Sequence, residues 1–197
     1  MSTVKYIQGI LLITLFMCYS SAWSTPFSYS GTSAIDVDTF AGTNHTINVG
    51  TSGIITDLNV SVELGGSPQW QDLDISLIFN GTSVALISET LNPFCCSGSA
   101  AFNATFDDEA VQTVASVGLG ALVGTFQPEF GSLSVYDGMN IAGVWTLNIT
   151  EIFCCQNETD LVSWSISGNT STVPEPATLV LMSLGLAGIG YRRKKAA

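Results

Sequence analysis

The amino-acid sequence predicts an all-β body, a jelly roll or β-sandwich, flanked by an N-terminal signal helix and a short C-terminal hydrophobic helix. The body shows short runs of alternating apolar and polar residues between turn residues, without helical periodicity. All five Lys and Arg residues lie at the two ends of the chain, as Lys5 and Arg192–Lys195. The sixteen carboxylates lie almost entirely between Asp36 and Asp160. The chain therefore divides into two sorting ends and one acidic body.

Residues 1–24 have the pattern of a secretory signal peptide. Lys5 precedes the apolar run Ile7–Tyr19, and small residues follow, so that cleavage is expected after Ala22 or after Ser24. The run is shorter than the ~20 residues of a membrane span, which disfavours a permanent anchor. Phe16 and Met17, the residues before Cys18, do not suit a site of cysteine lipidation, which disfavours a lipoprotein.

Residues 25–172 have about the length of one domain and are rich in short strand-like runs. In Leu73–Phe79, for example, inward apolar residues alternate with Asp74 and Ser76. Asn80-Gly81 is a typical hairpin turn and separates this strand from the next. The predicted strands are Thr46–Val49, Ile54–Leu64, Leu73–Phe79, Ser83–Ile87, Ala101–Phe106, Gly143–Thr150 and Leu161–Ser167. Several short strands with turns between them predict a sandwich or jelly roll.

Four cysteines remain once Cys18 leaves with the signal peptide. They form two vicinal pairs, Cys95-Cys96 and Cys154-Cys155. An even number in an exported domain predicts disulfides, for which three connectivities exist. We favour bonds between the pairs, because a bond between adjacent residues is strained and a loop of this length contributes about 4 kcal/mol. A zinc site is the alternative, but the spacing differs from the usual gap and His45 is far away in sequence.

Residues 173–197 combine a proline motif, an apolar segment and a basic end. Ala177–Tyr191 would extend about 22 Å as a helix, less than the ~30 Å hydrocarbon core of a membrane. We therefore expect a transient membrane segment whose basic end stays in the cytoplasm. The motif residues are Pro174, Glu175, Pro176, Arg192, Arg193, Lys194 and Lys195.

These C-terminal residues resemble the PEP-CTERM sorting signal of exported bacterial proteins. The resemblance implies cleavage by an exosortase near Pro-Glu-Pro, and a Gram-negative envelope protein that is membrane-anchored before processing. It also implies a final place at the cell surface or in the extracellular matrix, and a link with extracellular polysaccharide and biofilm. A plain single-pass anchor is one alternative. A GPI signal is another, although such tails normally end in apolar residues.

The body contains an ordered series of short motifs. They are Asp72–Leu77, Asn80–Thr82, Val84–Leu86, Phe106–Ala110, Gly124–Pro128, Leu133–Gly138, Gly143–Leu147 and Leu161–Ile166. Over about Thr46–Ser167 this series resembles the P domain of subtilisin-like proprotein convertases. The resemblance implies a β jelly roll that packs against a protease domain and is not itself catalytic. The only histidine, His45, has no serine motif around it, so a Ser/His/Asp enzyme is not predicted.

Carboxylates and aromatic residues are the remaining candidate site residues. Asp107 and Asp108, with Asp72 or Asp137 as partners, are candidate calcium ligands, because calcium binds carboxylate and loop carbonyl oxygens. The alternative is a solvated turn in which the Asp side chains accept backbone N–H groups. Trp145 and Trp164 are expected in the core, and Trp70 is expected to cover the edge of the core rather than to bind a sugar. Seven Asn-X-Ser/Thr triplets predict either glycosylation or, as we prefer, a solvated β surface.

Two classes of function are compatible with these features. We expect a non-enzymatic surface or matrix protein whose P-like domain is an adhesion or interaction module for extracellular polysaccharide or other surface proteins. The alternative is a glycan-active enzyme or a stabilising partner of a separate secreted protease. The acidic body excludes nucleic acid as a partner, because phosphate contacts need Lys and Arg.

Overall fold

Alternating apolar side chains build two β-sheets that face each other across one core. The computed structural model describes residues 23–37, 39–66, 68–88, 100–118, 120–152 and 159–171. Its strands are β1 (Ser24–Ser30), β2 (Thr43–Val49), β3 (Ile54–Gly66), β4 (Leu73–Phe79), β5 (Thr82–Ile87), β6 (Phe102–Phe106), β7 (Gln112–Thr113), β8 (Leu122–Gln127), β9 (Gly143–Glu151) and β10 (Thr159–Ser171). Short 3-10 helices occupy Trp70–Asp72, Val114–Ser116 and Leu133–Tyr136.

The strands form a six-stranded and a four-stranded sheet. The larger sheet has the order β1-β10-β3-β6-β8-β7, and the smaller has the order β2-β9-β4-β5. Pairing is antiparallel except for β6 with β8 and β7 with β8, which are parallel. All these strands belong to one compact unit, Ser24–Ser171. The predicted all-β sandwich is confirmed.

The seven predicted strands all form, and the structure adds three that the sequence pattern did not indicate. Strand β1 is rich in serine and contains Pro26, and it lies at a sheet edge where one side needs no partner. Strand β8 contains Gly124 between the buried residues Leu122 and Phe126, and because glycine has no side chain it interrupts the apolar alternation. Strand β7 has only two residues. These strands depend on pairing with neighbours rather than on their own periodicity.

The predicted hairpin between β4 and β5 is present. Asn80 and Gly81 both have positive φ, 48° and 79°, as a two-residue turn matched to the strand twist requires. Phe79 pairs with Thr82 across this turn. The turn therefore fixes which residues of both strands face the core.

Aromatic side chains fill the centre of the sandwich. Phe79 and Trp145 stack with ring centroids 3.9 Å apart, and Tyr136 meets Trp145 edge-on at 5.2 Å. The Trp145 indole N–H donates to Ile141 O at 3.0 Å. Trp164 is also fully buried, so the predicted core positions of Trp145 and Trp164 are confirmed.

The pairing of the strands distinguishes two ends of the sandwich, which we call the terminal end and the loop end. At the terminal end, the first and last strands meet, since Ser24 pairs with Ser171 and Ser171 pairs with Ile54. At the loop end, Gly66 pairs with Thr159 in the large sheet and Leu73 pairs with Glu151 in the small sheet. The 3-10 helix Trp70–Asp72 connects the two sheets there.

The predicted signal helix and C-terminal hydrophobic helix lie outside the described residues. Among the residues that the structure does describe, no helix has the length and apolar character needed to cross a membrane.

Candidate functional site

Two of the four predicted calcium ligands, Asp108 and Asp137, line one pocket near the terminal end, and Asp107 lies next to Asp108 in the chain. Asp107 and Asp108 follow β6, and Asp137 follows the 3-10 helix Leu133–Tyr136. Asp108 and Asp137 line a small pocket of about 30 Å³, together with Thr56, Asp57, Leu58, Glu109 and Ser134. This volume holds a water molecule or a small ion. Asp57, on β3, was missed by sequence reasoning because only the pairing of strands brings it here.

The Asp108 carboxylate is engaged by the neighbouring helix. It accepts hydrogen bonds from the backbone N–H groups of Leu133 and Ser134 at 2.9 and 2.8 Å, and from the Ser132 hydroxyl. Burial raises the pKa of Asp108, but these hydrogen bonds outweigh it and hold the pKa below its ordinary value. Asp108 thus fastens the loop after β6 to the start of the helix Leu133–Tyr136.

The other carboxylates of this pocket repel one another. Burial raises the pKa of Asp137, and the charges of Asp57 and Asp108 raise it further. A hydrogen bond with Asp107 raises the pKa of Glu109. Asp107 also accepts the backbone N–H of Glu109 at 2.8 Å, as in a turn stabilised by an aspartate. The contacts match the solvated-turn alternative, and calcium binding at Asp107 and Asp108 stays a prediction.

Asp72 is not brought to this pocket. It immediately precedes β4 at the loop end, where Leu73 pairs with Glu151, and its side chain is fully buried. Asp107 lies beyond the opposite end of β6, because Phe102 pairs with Leu64 and Phe106 with Val60. The described residues contain no group of three or more His, Cys, Asp or Glu side chains that could hold a metal ion.

The only histidine makes a local contact on an edge strand. His45 Nε2 lies 3.1 Å from the Thr43 hydroxyl, and burial lowers the pKa of the imidazole. That hydroxyl also donates to Val37 O at 3.1 Å. The oxygen next to the imidazole is therefore already committed to a backbone carbonyl.

Trp70 is a core residue. It is 4% exposed, its indole N–H donates to Gly120 O at 3.1 Å, and its ring lies 6.4 Å from that of Phe102. The prediction that Trp70 covers the edge of the core is confirmed.

The Asn-X-Ser/Thr triplets follow the period of the strands. In five triplets of the described residues the middle residue lies in a strand, and in four of these the outer two flank it on the opposite face. The fifth, Asn169-Thr170-Ser171, lies at the end of β10, where the strand register shifts. For Val60, Ala104 and Ile149 that middle residue is fully buried, whereas the flanking Asn and Ser/Thr residues are half-buried or exposed. The fourth is Asn44-His45-Thr46, with both flanking residues exposed. Alternation in half-buried strands thus explains most of the pattern.

The two cysteine pairs and the sorting residues lie outside the described residues. The strand ends that bound the cysteine segments are described, and all four are at the loop end. Ile87 and Phe102 bound one segment, and Glu151 and Thr159 bound the other. The predicted bonds between Cys95-Cys96 and Cys154-Cys155 stay a prediction for which these positions are favourable.

Comparison with known proteins identifies the C-terminal segment. Residues 172–194 match the PEP-CTERM protein-sorting motif. No curated protein is significantly similar to the chain.

Two solved structures are similar to the chain. The crystal structure of the serine protease of Aeromonas sobria is 16% identical over 80% of this chain, with a TM-score of 0.46. The complex of that protease with the chaperone ORF2 is 15% identical over 82% of this chain, with a TM-score of 0.45. The chain spans 29% of the length of either protein.

The sorting motif has a direct consequence for the chain. It implies an exported protein of a Gram-negative cell envelope that is processed by an exosortase. Its C-terminus is associated with the membrane before processing.

Proposed function

We propose that the chain is a non-enzymatic interaction module that an exosortase processes and that binds extracellular polysaccharide through one face of its small sheet. We call this the amide face. Its residues point away from the core on neighbouring strands β2 and β9, and they are Asn44, Thr46, Asn48, Thr146, Asn148 and Thr150.

The amide face is ordered by hydrogen bonds between its own side chains. Asn148 Nδ2 donates to Asn44 Oδ1 at 2.8 Å, and the Thr150 hydroxyl donates to Asn148 Oδ1 at 3.1 Å. Thr46 and Thr146 are opposite each other in the same register. This ladder of fixed neutral donors and acceptors is the observation that carries the proposal, because sugar hydroxyls are recognised by such groups.

Charge favours a neutral or cation-bridged glycan as the ligand. The body has no Lys or Arg between Lys5 and Arg192, so it lacks the groups that bind phosphate or sulfate directly. The sorting motif supports the place of action, since it directs the chain to the envelope where extracellular polysaccharide is found.

A catalytic role has less support. The Thr43 hydroxyl beside His45 already donates to Val37 O, so the pair lacks the free nucleophile that a hydrolase needs. The ordered motifs that resemble a convertase P domain support a packing role rather than chemistry. They also motivate a second candidate function, the stabilisation of a separate secreted protease.

A binding experiment with matched variants tests the proposal. The exported chain is sedimented with extracellular polysaccharide purified from its host, in calcium and in chelator. Asn48→Glu places a charge on the exposed amide face, and Asn103→Glu makes the same change on the exposed outer face of the large sheet. We expect the first variant to lose binding by at least tenfold, while the second binds as the natural chain does.

Three results would contradict the proposal. They are equal binding by both variants, no binding by the natural chain, and a decrease in polysaccharide length. Recovery of a secreted protease with the chain, in place of glycan, would favour the second candidate function.

A further inference from the structure

One row of residues crosses all four strands of the small sheet. Asn44 pairs with Asn148, and Asn148 pairs with Ser76. Ser76 pairs in turn with Ala85, which forms an isolated bridge with Phe130 beyond the edge of β5. We call these five residues the cross-strand row. Because neighbouring strands lie about 4.8 Å apart, the four steps of the row span about 19 Å.

The side chains of the cross-strand row point away from the core. Asn148, Ser76 and Ala85 are half-buried, whereas the residues before and after each of them are buried. Directly paired residues of antiparallel strands lie on the same face of a sheet. Asn44 and Phe130 therefore also point outwards, and both are exposed, Phe130 to 49%. The row belongs to the same surface as the amide face and extends it across β4 and β5.

The chemistry of the row changes from one end to the other. At the β2 end, Asn148 Nδ2 donates to Asn44 Oδ1 at 2.8 Å, which gives an ordered pair of amides. Ser76 and Ala85 in the middle have small side chains, and Phe130 ends the row with a half-exposed ring. A pyranose sugar also has two kinds of surface, with hydroxyl groups at its rim and C–H groups on its faces. The amides suit the hydroxyl groups, and an aromatic ring suits a C–H face.

Backbone hydrogen bonds fix the position of Phe130. Its N–H donates to Ala85 O at 3.1 Å, and Glu129 N–H donates to Leu86 O at 3.2 Å. The Glu129 carboxylate accepts Ser88 N–H at 2.5 Å, which holds the same segment to the end of β5. An aromatic side chain on an ordered segment loses little freedom when it binds a ligand.

Charge around the row selects the class of glycan. None of the five side chains ionises, although the chain carries sixteen carboxylates. Two of these carboxylates flank the row, Asp74 two residues before Ser76 on β4 and Glu129 next to Phe130. Between Lys5 and Arg192 the sequence has no Lys or Arg to offset them. Their negative charge repels uronate, sulfate and phosphate groups and leaves neutral sugars as the ligands that fit.

We propose that the cross-strand row binds a neutral polysaccharide, with Asn44 and Asn148 bonded to sugar hydroxyls and the Phe130 ring packed on the C–H face of another sugar unit. This inference rests on the proposed function, which places a glycan on the amide face. It adds that the glycan crosses the strands, that it needs no bridging cation, and that Phe130 sets its specificity. Because the row spans about 19 Å, a single sugar contacts only one end of it.

The test uses the exported chain and fragments of the extracellular polysaccharide of its host. The fragments are separated into neutral and acidic fractions and by length, and calorimetric titration gives the Kd of each fraction in calcium and in chelator. We expect neutral fragments to bind equally with and without calcium. Their affinity should rise at least tenfold from the monosaccharide to the length that spans the row. Acidic fragments of that length should bind at least tenfold more weakly.

Matched variants test the residues of the row. Phe130→Ala should weaken binding of the long neutral fragments at least tenfold, whereas Phe130→Trp keeps an aromatic face and should retain binding. Ala85→Glu places a charged side chain in the middle of the row and should also weaken binding at least tenfold. Thr125→Glu makes a similar change at an exposed position of the large sheet and should bind as the natural chain does. Melting temperatures show whether each variant is folded.

The inference and the proposed function fail in different ways. If Asn48→Glu loses binding while Phe130→Ala and Ala85→Glu bind as the natural chain does, the cross-strand row is overturned and the proposed function stands. A preference for acidic fragments, or loss of binding in chelator, overturns the neutral glycan. Absence of binding to every fraction overturns both, as does self-association or protease binding through this face in place of glycan.

Discussion

Replacing Tyr136 by Phe keeps the aromatic ring in the centre of the sandwich and tests the hydrogen bond of its buried hydroxyl. Tyr136 is fully buried, and its hydroxyl donates to Leu77 O at 2.8 Å and lies 3.3 Å from Thr82 O. Burial raises the pKa of this phenol, so the hydroxyl is a donor at every ordinary pH. The change removes a net contribution of about 1 kcal/mol and leaves a buried carbonyl with one donor fewer, at a cost of about 1–2 kcal/mol more.

We therefore expect Tyr136→Phe to lower the free energy of unfolding by about 2–3 kcal/mol and the melting temperature by roughly 4–10 °C. Urea unfolding of the exported chain measures the first quantity, and an unchanged slope shows that the folded state is intact. Tyr29→Phe is the matched control, because the Tyr29 hydroxyl forms its hydrogen bond with Thr51 at an exposed site. A loss below about 0.5 kcal/mol, the range of ordinary surface changes, would refute the role given to the hydroxyl.

Processing, cross-linking, capping and pH each give one further expected outcome. Intact-mass analysis should show loss of the signal peptide through Ala22 or Ser24 and loss of the basic tail; a mature chain that keeps the tail would contradict exosortase sorting. Peptide mapping without reduction should join Cys95-Cys96 to Cys154-Cys155, whereas bonds within each pair or four free thiols would refute the proposed staple. In chelator, Asp108→Ala should lower the free energy of unfolding by about 1–2 kcal/mol, as the loss of a helix cap does. Because hydrogen bonds lower the pKa of Asp108 in the folded chain, this difference should disappear as the pH falls through that pKa. A difference that does not depend on pH would contradict this role of Asp108. The carboxylate of Glu129 accepts Ser88 N–H at 2.5 Å, and burial raises its pKa. The charged form is therefore disfavoured in the folded chain, so Glu129→Gln should raise the free energy of unfolding at pH 7 but not at a pH below that pKa. A lower free energy of unfolding at pH 7 would refute this.

Strands with a clear apolar alternation could be predicted from the sequence, because the core selects one face of each. Leu73–Phe79 forms as predicted, since its four alternate apolar residues all point inwards. Strand β1 could not be predicted in this way. Its residues are polar or half-exposed, and its position depends on pairing with β10 at the other end of the chain.

The candidate sites show the same division between local and long-range information. The sequence places Asp107 and Asp108 in a turn, because neighbouring carboxylates after a strand are a local pattern. It does not place Asp57 beside Asp108, since only the folding of the sheet brings these two residues together over a long sequence separation. Register is a property of the whole sheet, so such neighbours emerge only with the fold.

Several of the described carboxylates share one feature that helps a body without Lys or Arg to remain folded. They are stabilised by neutral donors. Asp57 accepts from the Asn169 amide at 3.1 Å, Glu63 from the Ser163 hydroxyl at 3.1 Å, and Asp160 from Asp36 N–H at 3.2 Å. Hydrogen bonds from amides and hydroxyls lower the cost of a carboxylate without a counter-charge, but they leave its negative field in place. The folded body thus keeps a strong attraction for cations.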